Sequence, residues 1–299
     1  MKSLALRLLT RLAIALVVLY FLLGLLVVAV LSKPKRRLDL GKHPGTHGLR
    51  YQDVRFPSRG GDAKLAAWYI PHDSRRLALV MVHGKDGSRT NEQNGRNDEL
   101  LAALHQLGFT LLAIDLRGHG QSSSARFSFG VHESRDVLGG VDYLASQGFA
   151  KAQIGLHGVS MGAASVLIAA AQDPTVPALI ADCGYADFGR VLRREWTPRT
   201  HLPMWVMPAS QIVGRLWLGT DMTTVRPIEH IPQIKSRVLF IHAEKDSLIP
   251  PTDSQEMAAL LPGSQLWIQP GAQHAAGFDA DPEGYTRHVA EFFTQTLRN

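Results

Sequence analysis

The chain has 299 residues, 45% of them hydrophobic, with 32 Lys/Arg against 26 Asp/Glu and a single cysteine. That length suits one large α/β domain, and one cysteine excludes an intrachain disulfide framework. The formal charge of +6 belongs to residues 1–38, which hold seven Lys/Arg and no Asp/Glu. The other 25 basic and 26 acidic residues nearly cancel, so the basic balance does not argue for a nucleic-acid partner.

Residues 12–31 carry no charge and are rich in Leu and Val. As a helix rising about 1.5 Å per residue they reach about 30 Å, the hydrocarbon thickness of a bilayer. A cleavable signal peptide has a shorter apolar core and a small-residue cleavage site. Ala29-Val30-Leu31-Ser32 is not such a site. The expectation is therefore an uncleaved single-pass transmembrane anchor over 12–31, within an N-terminal region 1–38. Lys2, Arg7 and Arg11 flank it on one side, and Lys33, Lys35, Arg36 and Arg37 on the other, which leaves the positive-inside rule close to a tie. The orientation leans slightly to a domain outside the cytoplasm, and the basic flanks read as topology signals and lipid headgroup contacts.

Beyond residue 38 the patterning alternates between strand-like and helix-like runs. Segments 51–56 and 64–70, joined through Gly60-Gly61, read as an antiparallel start to a sheet. Parallel strands are expected near 77–82, 109–114, 153–157, 177–182, 237–242 and 265–268, and helices near 97–107, 134–146 and 161–172. Residues 184–235 break the alternation. They contain Trp196, Trp205 and Trp217 with repeated Pro and Met, and should form a small helical lid. The expected architecture is a mostly parallel sheet with helices on both faces, a domain running 39–299.

The motif with most chemistry is Gly158-Val159-Ser160-Met161-Gly162, between a strand-like run and an Ala-rich helical run. Strand, sharp turn and helix are the context in which G-x-S-x-G marks a nucleophilic serine, with its hydroxyl at a helix N-terminus. In such folds the acid and then the histidine follow in chain order. Asp246 lies just past the strand at 237–242, and His274 occupies the corresponding loop after 265–268. Asp182, also at a strand end, is an alternative acid. His274 would be the general base and Asp246 the group that orients it. The oxyanion would take backbone N–H groups of Met161 and of Lys85, which follows His83-Gly84. Cys183 follows a buried strand and reads as a small core residue. No H-E-x-x-H spacing or cysteine pair supports a zinc site, and no P-loop or dinucleotide fingerprint implies a cofactor.

These motifs, with Val82-His83-Gly84, Asp115-Leu116-Arg117-Gly118-His119-Gly120-Gln121-Ser122 and Arg226-Pro227-Ile228-Glu229-His230-Ile231, resemble the α/β-hydrolase superfamily over roughly residues 50–298. Within it the chain looks most like the compact, membrane-anchored, serine aminopeptidase-like hydrolases with a small lid. The resemblance implies that 115–122 is a hydrogen-bonded turn rather than a catalytic cluster. It implies a membrane-anchored serine hydrolase that cleaves carboxylic esters or thioesters of small-molecule or lipid acyl substrates through an acyl-enzyme. A peptidase using the same apparatus and a catalytically silent, membrane-tethered binding protein are the alternatives. Acyl chain length and oligomeric state stay open.

Overall fold

The computed structural model describes residues 2–35, 41–73 and 77–297; Arg36 and Arg37 of the basic flank lie outside the described residues. The chain divides into two compact units, Met1–Lys33 with Phe188–Val225, and Pro34–Asp187 with Arg226–Asn299. Among the described residues the helices are α1 (Lys2–Leu31), α2 (Glu92–Gly95), α3 (Asn97–Gln106), α4 (Glu133–Ser146), α5 (Met161–Gln172), α6 (Phe188–Thr200), α7 (Met207–Leu218), α8 (Thr252–Ala259), α9 (Gly277–Ala280) and α10 (Pro282–Thr296). The strands are β1 (Gln52–Pro57), β2 (Lys64–Ile70), β3 (Leu77–Val82), β4 (Phe109–Asp115), β5 (Ile154–Val159), β6 (Ala178–Asp182), β7 (Arg237–Ala243) and β8 (Gln265–Gln269).

The larger unit is built on one eight-stranded sheet of order β1-β2-β4-β3-β5-β6-β7-β8. Strand β2 runs antiparallel to β1 and β4, and the other neighbours are parallel. The antiparallel start and the parallel remainder both follow the sequence pattern, with bounds moved by a residue or two. Strands β3, β4, β5 and β6 are buried along their whole length. That is why they read as continuous apolar runs instead of alternating ones. On β3, Leu77, Leu79 and Met81 join a core with Leu100, Leu101 and Leu104 of α3 and Val289, Phe292 and Phe293 of α10. Val80 points the other way, towards Gly140 of α4, so helices cover both faces.

Strand β3 lies between β4 and β5, so the chain leaves it first to one side and then to the other. At such a switch point the loops after adjacent strands diverge and leave a crevice at the carboxyl ends. Helix α5 approaches this edge closely because its first turns are small. A Cβ on Gly158 would collide with the carbonyl of Gly162, and one on Gly162 would stand 2.5 Å from the Val82 carbonyl oxygen.

In the smaller unit, α1 is longer than the charge-free run and continues back through Arg11 and Arg7 to Lys2. It is long and apolar enough over Leu4–Leu31 to cross a membrane. Helix α1 packs on α7 through small residues: a Cβ on Gly24 would lie 2.7 Å from the Ala209 backbone. The Tyr20 and Trp205 rings stack at 5.9 Å, and the Tyr20 hydroxyl donates to the Trp205 carbonyl at 3.2 Å. Trp196 of α6 is fully buried, with its indole N–H donating to the Pro203 carbonyl. Gly219, at φ 68°, ends α7.

The close approach of α5 predicts that Gly162→Ala destabilises the fold by on the order of 1–3 kcal/mol through overpacking. Thermal unfolding of the full chain should show a drop in Tm of roughly 2–4 °C for each kcal/mol. An unchanged Tm would contradict this packing.

Candidate active site

Three loops at the carboxyl edge of the sheet bring Ser160, Asp246 and His274 together. Ser160 forms the turn between β5 and α5 at φ 55° and ψ −114°, a conformation costing about 1–3 kcal/mol for a residue other than glycine. Its N–H donates to the Asp182 carbonyl at 2.7 Å, which fixes the turn to the next strand. The serine Oγ stands 3.0 Å from His274 Nε2, and His274 Nδ1 stands 2.6 Å from Asp246 Oδ2. In this chain of bonds the Nδ1–H donates to the carboxylate, leaving Nε2 to accept the serine proton.

Asp246 is held from several sides. Its Oδ1 accepts the N–H groups of Leu248 at 2.9 Å and Ile249 at 2.8 Å. Burial pushes its carboxyl up, but the nearby His242 ring, the hydrogen bond from His274, the charge of His274 and the Ile249 N–H outweigh this. Its pKa lies well below the usual carboxylate range. The loops after β7 and β8 are tied together by Glu244 N–H to Gln269 O at 3.0 Å and Lys245 N–H to Ala272 O at 2.9 Å. The Glu244 carboxylate also accepts the Gly271 N–H at 2.8 Å.

Asp182 is not brought to His274. Its Oδ2 accepts the Tyr285 hydroxyl at 2.6 Å, and that hydroxyl also meets His157 Nε2 at 2.8 Å, all buried beneath the turn. Cys183 Sγ lies within 4.8 Å of the Asp246 and His274 ligand atoms. However, burial and then the charge of Asp182 push its thiol well above the usual value. Both ring nitrogens of His274 are already engaged, so a metal there would have to displace the Ser160 and Asp246 bonds.

Met161 opens α5, so its N–H has no carbonyl four residues back within the helix and faces outward from the helix start. The loop after β3 reaches the same place: a Cβ on Gly84 would stand 3.2 Å from Ser160 Cβ. The Lys85 side chain takes no part in this. Its ammonium pairs with Asp86 at 2.6 Å and lies 5.4 Å from the Phe127 ring centre.

The 115–122 segment is structural. Fully buried Asp115 pairs with Arg89 and accepts the N–H groups of Arg89 and Gln121, and Arg117 pairs with Asp136 at 2.7 Å. His83 Nε2 accepts the Leu116 N–H, and His119 Nε2 accepts the Asp86 N–H. Burial lowers both imidazoles to about 4, so they are neutral acceptors that hold the loop.

Two residues of this region escaped the sequence pattern. His242, on β7, accepts at Nδ1 from Ser254, donates at Nε2 to the Ile249 carbonyl, and lies 3.4 Å from Asp246. Glu92 accepts the Gly84 N–H at 2.6 Å, and a Cβ on Gly87 would lie 2.7 Å from its Oε2. The two residues that follow it, Gln93 and Asn94, adopt φ 54° and 55°, an irregular turn that no periodicity announces.

The chain matches the prolyl oligopeptidase family over residues 97–299. Bacillus subtilis YqkD is 30% identical over 229 residues, 74% of this chain and 72% of its own. Human serine hydrolase BPHL is 25% identical over 221 residues, 66% of this chain and 72% of its own. The fold is similar to that of the Pyrococcus furiosus esterase Pf2001, with a TM-score of 0.74 at 24% identity, covering 89% of this chain and 98% of that one.

Burial raises the Glu92 carboxyl from 4.5 to about 6 against the lowering effect of the Gly84 and Gln93 N–H groups and the His274 charge. A carboxyl raised on folding favours the fold while protonated, and that contribution is lost as pH rises through the folded value. Glu92→Gln removes the titration. Relative to the parent chain, the variant should gain about 2 kcal/mol of stability as pH rises from about 4.5 to 7. Denaturant unfolding at the two pH values checks this, and a pH-independent difference would contradict it.

Proposed function

The chain belongs to the prolyl oligopeptidase family of α/β-hydrolases, and from that premise we propose that it is a membrane-anchored serine hydrolase cleaving carboxylic ester or thioester bonds. The observation that carries this reading is the continuous bond chain from Ser160 Oγ through His274 to Asp246. As Oγ attacks the acyl carbon, His274 Nε2 takes its proton, and Asp246 stabilises the imidazolium. The Met161 and Lys85 N–H groups receive the developing oxyanion. His274 returns the proton to the leaving alcohol or thiol, and water then releases the acid from the acyl-enzyme by the same base. None of these steps calls for a metal or organic cofactor.

The family's description favours a second reading, in which the bond cleaved is an amide of a peptide. The same residues serve it, with the proton from His274 going to the leaving amine. Kinetics of the soluble region against ester, thioester and aminoacyl-amide panels separates the two readings.

For the chain's layout we propose residues 1–38 as the anchor and 39–299 as the hydrolase domain, interrupted by the helical insertion. The apolar span Leu4–Leu31 supports the first part. Tethering would raise the effective concentration of acyl substrates that reside in the same bilayer.

Ser160→Ala should abolish labelling by a fluorophosphonate probe and lower kcat on an activated ester by several orders of magnitude, on the order of 10⁶ where a triad acts as a unit. Asp246→Asn should also lower kcat strongly, on the order of 10⁴. Asp182→Asn, whose partner is Tyr285, should cost far less in folded protein. Persistent turnover by Ser160→Ala, or a larger loss from Asp182→Asn than from Asp246→Asn, would overturn the assignment.

The anchor has its own test. Full-length protein should remain with membranes through high-salt and alkaline carbonate washes. Release into the wash, or a mature N-terminus near residue 32, would show that α1 is peripheral or removed.

A further inference from the structure

We propose that α7 and the turn before it enter one leaflet of the bilayer alongside α1, with an apolar face against phospholipid acyl chains and basic neighbours at anionic headgroups. The inference rests on the reading of α1 as a membrane-spanning helix. Outside α1, the large apolar side chains exposed among the described residues are Leu107, Met204, Trp205, Ile212, Leu216, Trp217, Leu260 and Leu266. Five of these eight fall within residues 204–217, and Leu216 is 84% exposed. Single exposed apolar residues are ordinary, but a cluster on one short element marks a surface meant for something other than water.

The face is helical. Trp205, Pro208, Ile212 and Leu216 are exposed at spacings of three and four, while Met207, Ala209, Ser210 and Gly214 are buried. The buried side is turned to α1. Tyr20 meets Trp205, Gly24 meets Ala209, and Val28 faces Gly214. Because both numbers rise together, α7 runs alongside α1 in the same direction.

That pairing sets the depth. Helix α1 has 30 residues, a length of about 45 Å, whereas the hydrocarbon core is about 30 Å thick and takes about 20 residues. Whichever 20 residues of Leu4–Leu31 fill the core, Tyr20 is among them, and Trp205 is stacked on it. Gly24 and Val28 then lie inside the core or within about 8 Å of its edge, at the headgroup layer. Helix α7 therefore runs outward through one leaflet, from the hydrocarbon core at Trp205 towards the headgroup layer. Tryptophan suits the boundary at the outer end of α7, where Trp217 stands, having an apolar ring and one N–H donor.

Charge points to the same occupant. Residues 1–33 and 188–225 together hold nine Lys/Arg and two Asp/Glu, a formal +7, leaving the rest of the chain at −1. Arg190, Arg193, Arg194 and Arg199 are exposed on α6. Arg215, in the middle of the apolar run, is 65% exposed and pairs with Asp221 at 3.1 Å. A long basic side chain there can lay its stem on acyl chains and reach the headgroups with its guanidinium.

The test uses the full chain in vesicles of phosphatidylcholine and phosphatidylglycerol, with Cys183→Ser as the common background. An environment-sensitive fluorophore is placed at Ile212→Cys, Leu216→Cys or, as reference, Leu107→Cys. At 212 and 216 the emission should shift to the blue and be lost to nitroxide-bearing lipids while resisting iodide. At 107 it should do the reverse. Quenching of 212 and 216 by iodide in protein that still floats with the vesicles would overturn the proposal and leave the anchor standing. Shielding of both sites from iodide and from nitroxide lipid would also overturn it, in favour of a protein covering this face. Failure to float would remove the anchor and this proposal together. Fluorophosphonate labelling of the same samples reports separately on the hydrolase reading.

Discussion

Everything in the site hangs on one unfavourable backbone conformation. Ser160 sits at positive φ, and the turn persists because its surroundings leave no room to relax. Gly158 and Gly162 allow α5 to start directly against β3 and β5, and the Ser160 N–H is fastened to the Asp182 carbonyl. Relaxing the turn would swing the hydroxyl away from His274 and move the start of α5. The strain is thus coupled to the parallel pairing of β3, β5 and β6, which lie buried on both faces of the sheet.

Around that turn, preorganisation comes from buried polar groups that have fixed partners before any substrate arrives. The loop after β3 is held by neutral His83 and His119 as acceptors, by Glu92 on the Gly84 N–H, and by Asp115 beneath it. The acid loop is held by two N–H donors to Asp246 and by His242. Such supports keep donors and base in place without reorganisation during a reaction, which is where electrostatic catalysis gains most. They also explain the density of histidines at the strand ends. His83, His119 and His157 are buried acceptors or partners of local groups, and burial lowers each to about 4.

The sheet and the Ser160–His274–Asp246 bond chain were legible because they depend on local signals. Continuous apolar runs mark doubly covered strands, and strand ends mark where functional loops emerge. In sequence Asp246 is the expected acid and Asp182 its alternative, each following a buried strand. The fold sets them apart, since Tyr285 of α10 holds the Asp182 carboxylate from 103 residues away while Asp246 meets His274. Glu92 was illegible for a different reason: it sits in an irregular turn, followed by Gln93 and Asn94 at positive φ. The seating of α7 on α1 was equally hidden. Small residues such as Gly24 and Ala209 carry no periodic apolar signal, and they lie 185 positions apart.

The place of the insertion in the chain explains how one sheet can carry a second unit of different surface character. Strands β6 and β7 pair directly in parallel, Ala178 with Arg237 through Asp182 with Ile241. That register is set by buried side chains of the sheet, and residues 188–225 enter and leave it as a loop would. Loops tolerate change where the elements they connect do not. Among the described residues the larger unit exposes scattered large apolar side chains, Leu107, Leu260 and Leu266, and by sequence it is close to neutral. The smaller unit concentrates apolar exposure and positive charge. Substitutions along 204–217 can therefore change that exposed apolar surface without moving Asp246, whose position is set by β7 and by its bonds to Leu248 and Ile249. The sheet register thus fixes the Ser160–His274–Asp246 geometry independently of the composition of the insertion.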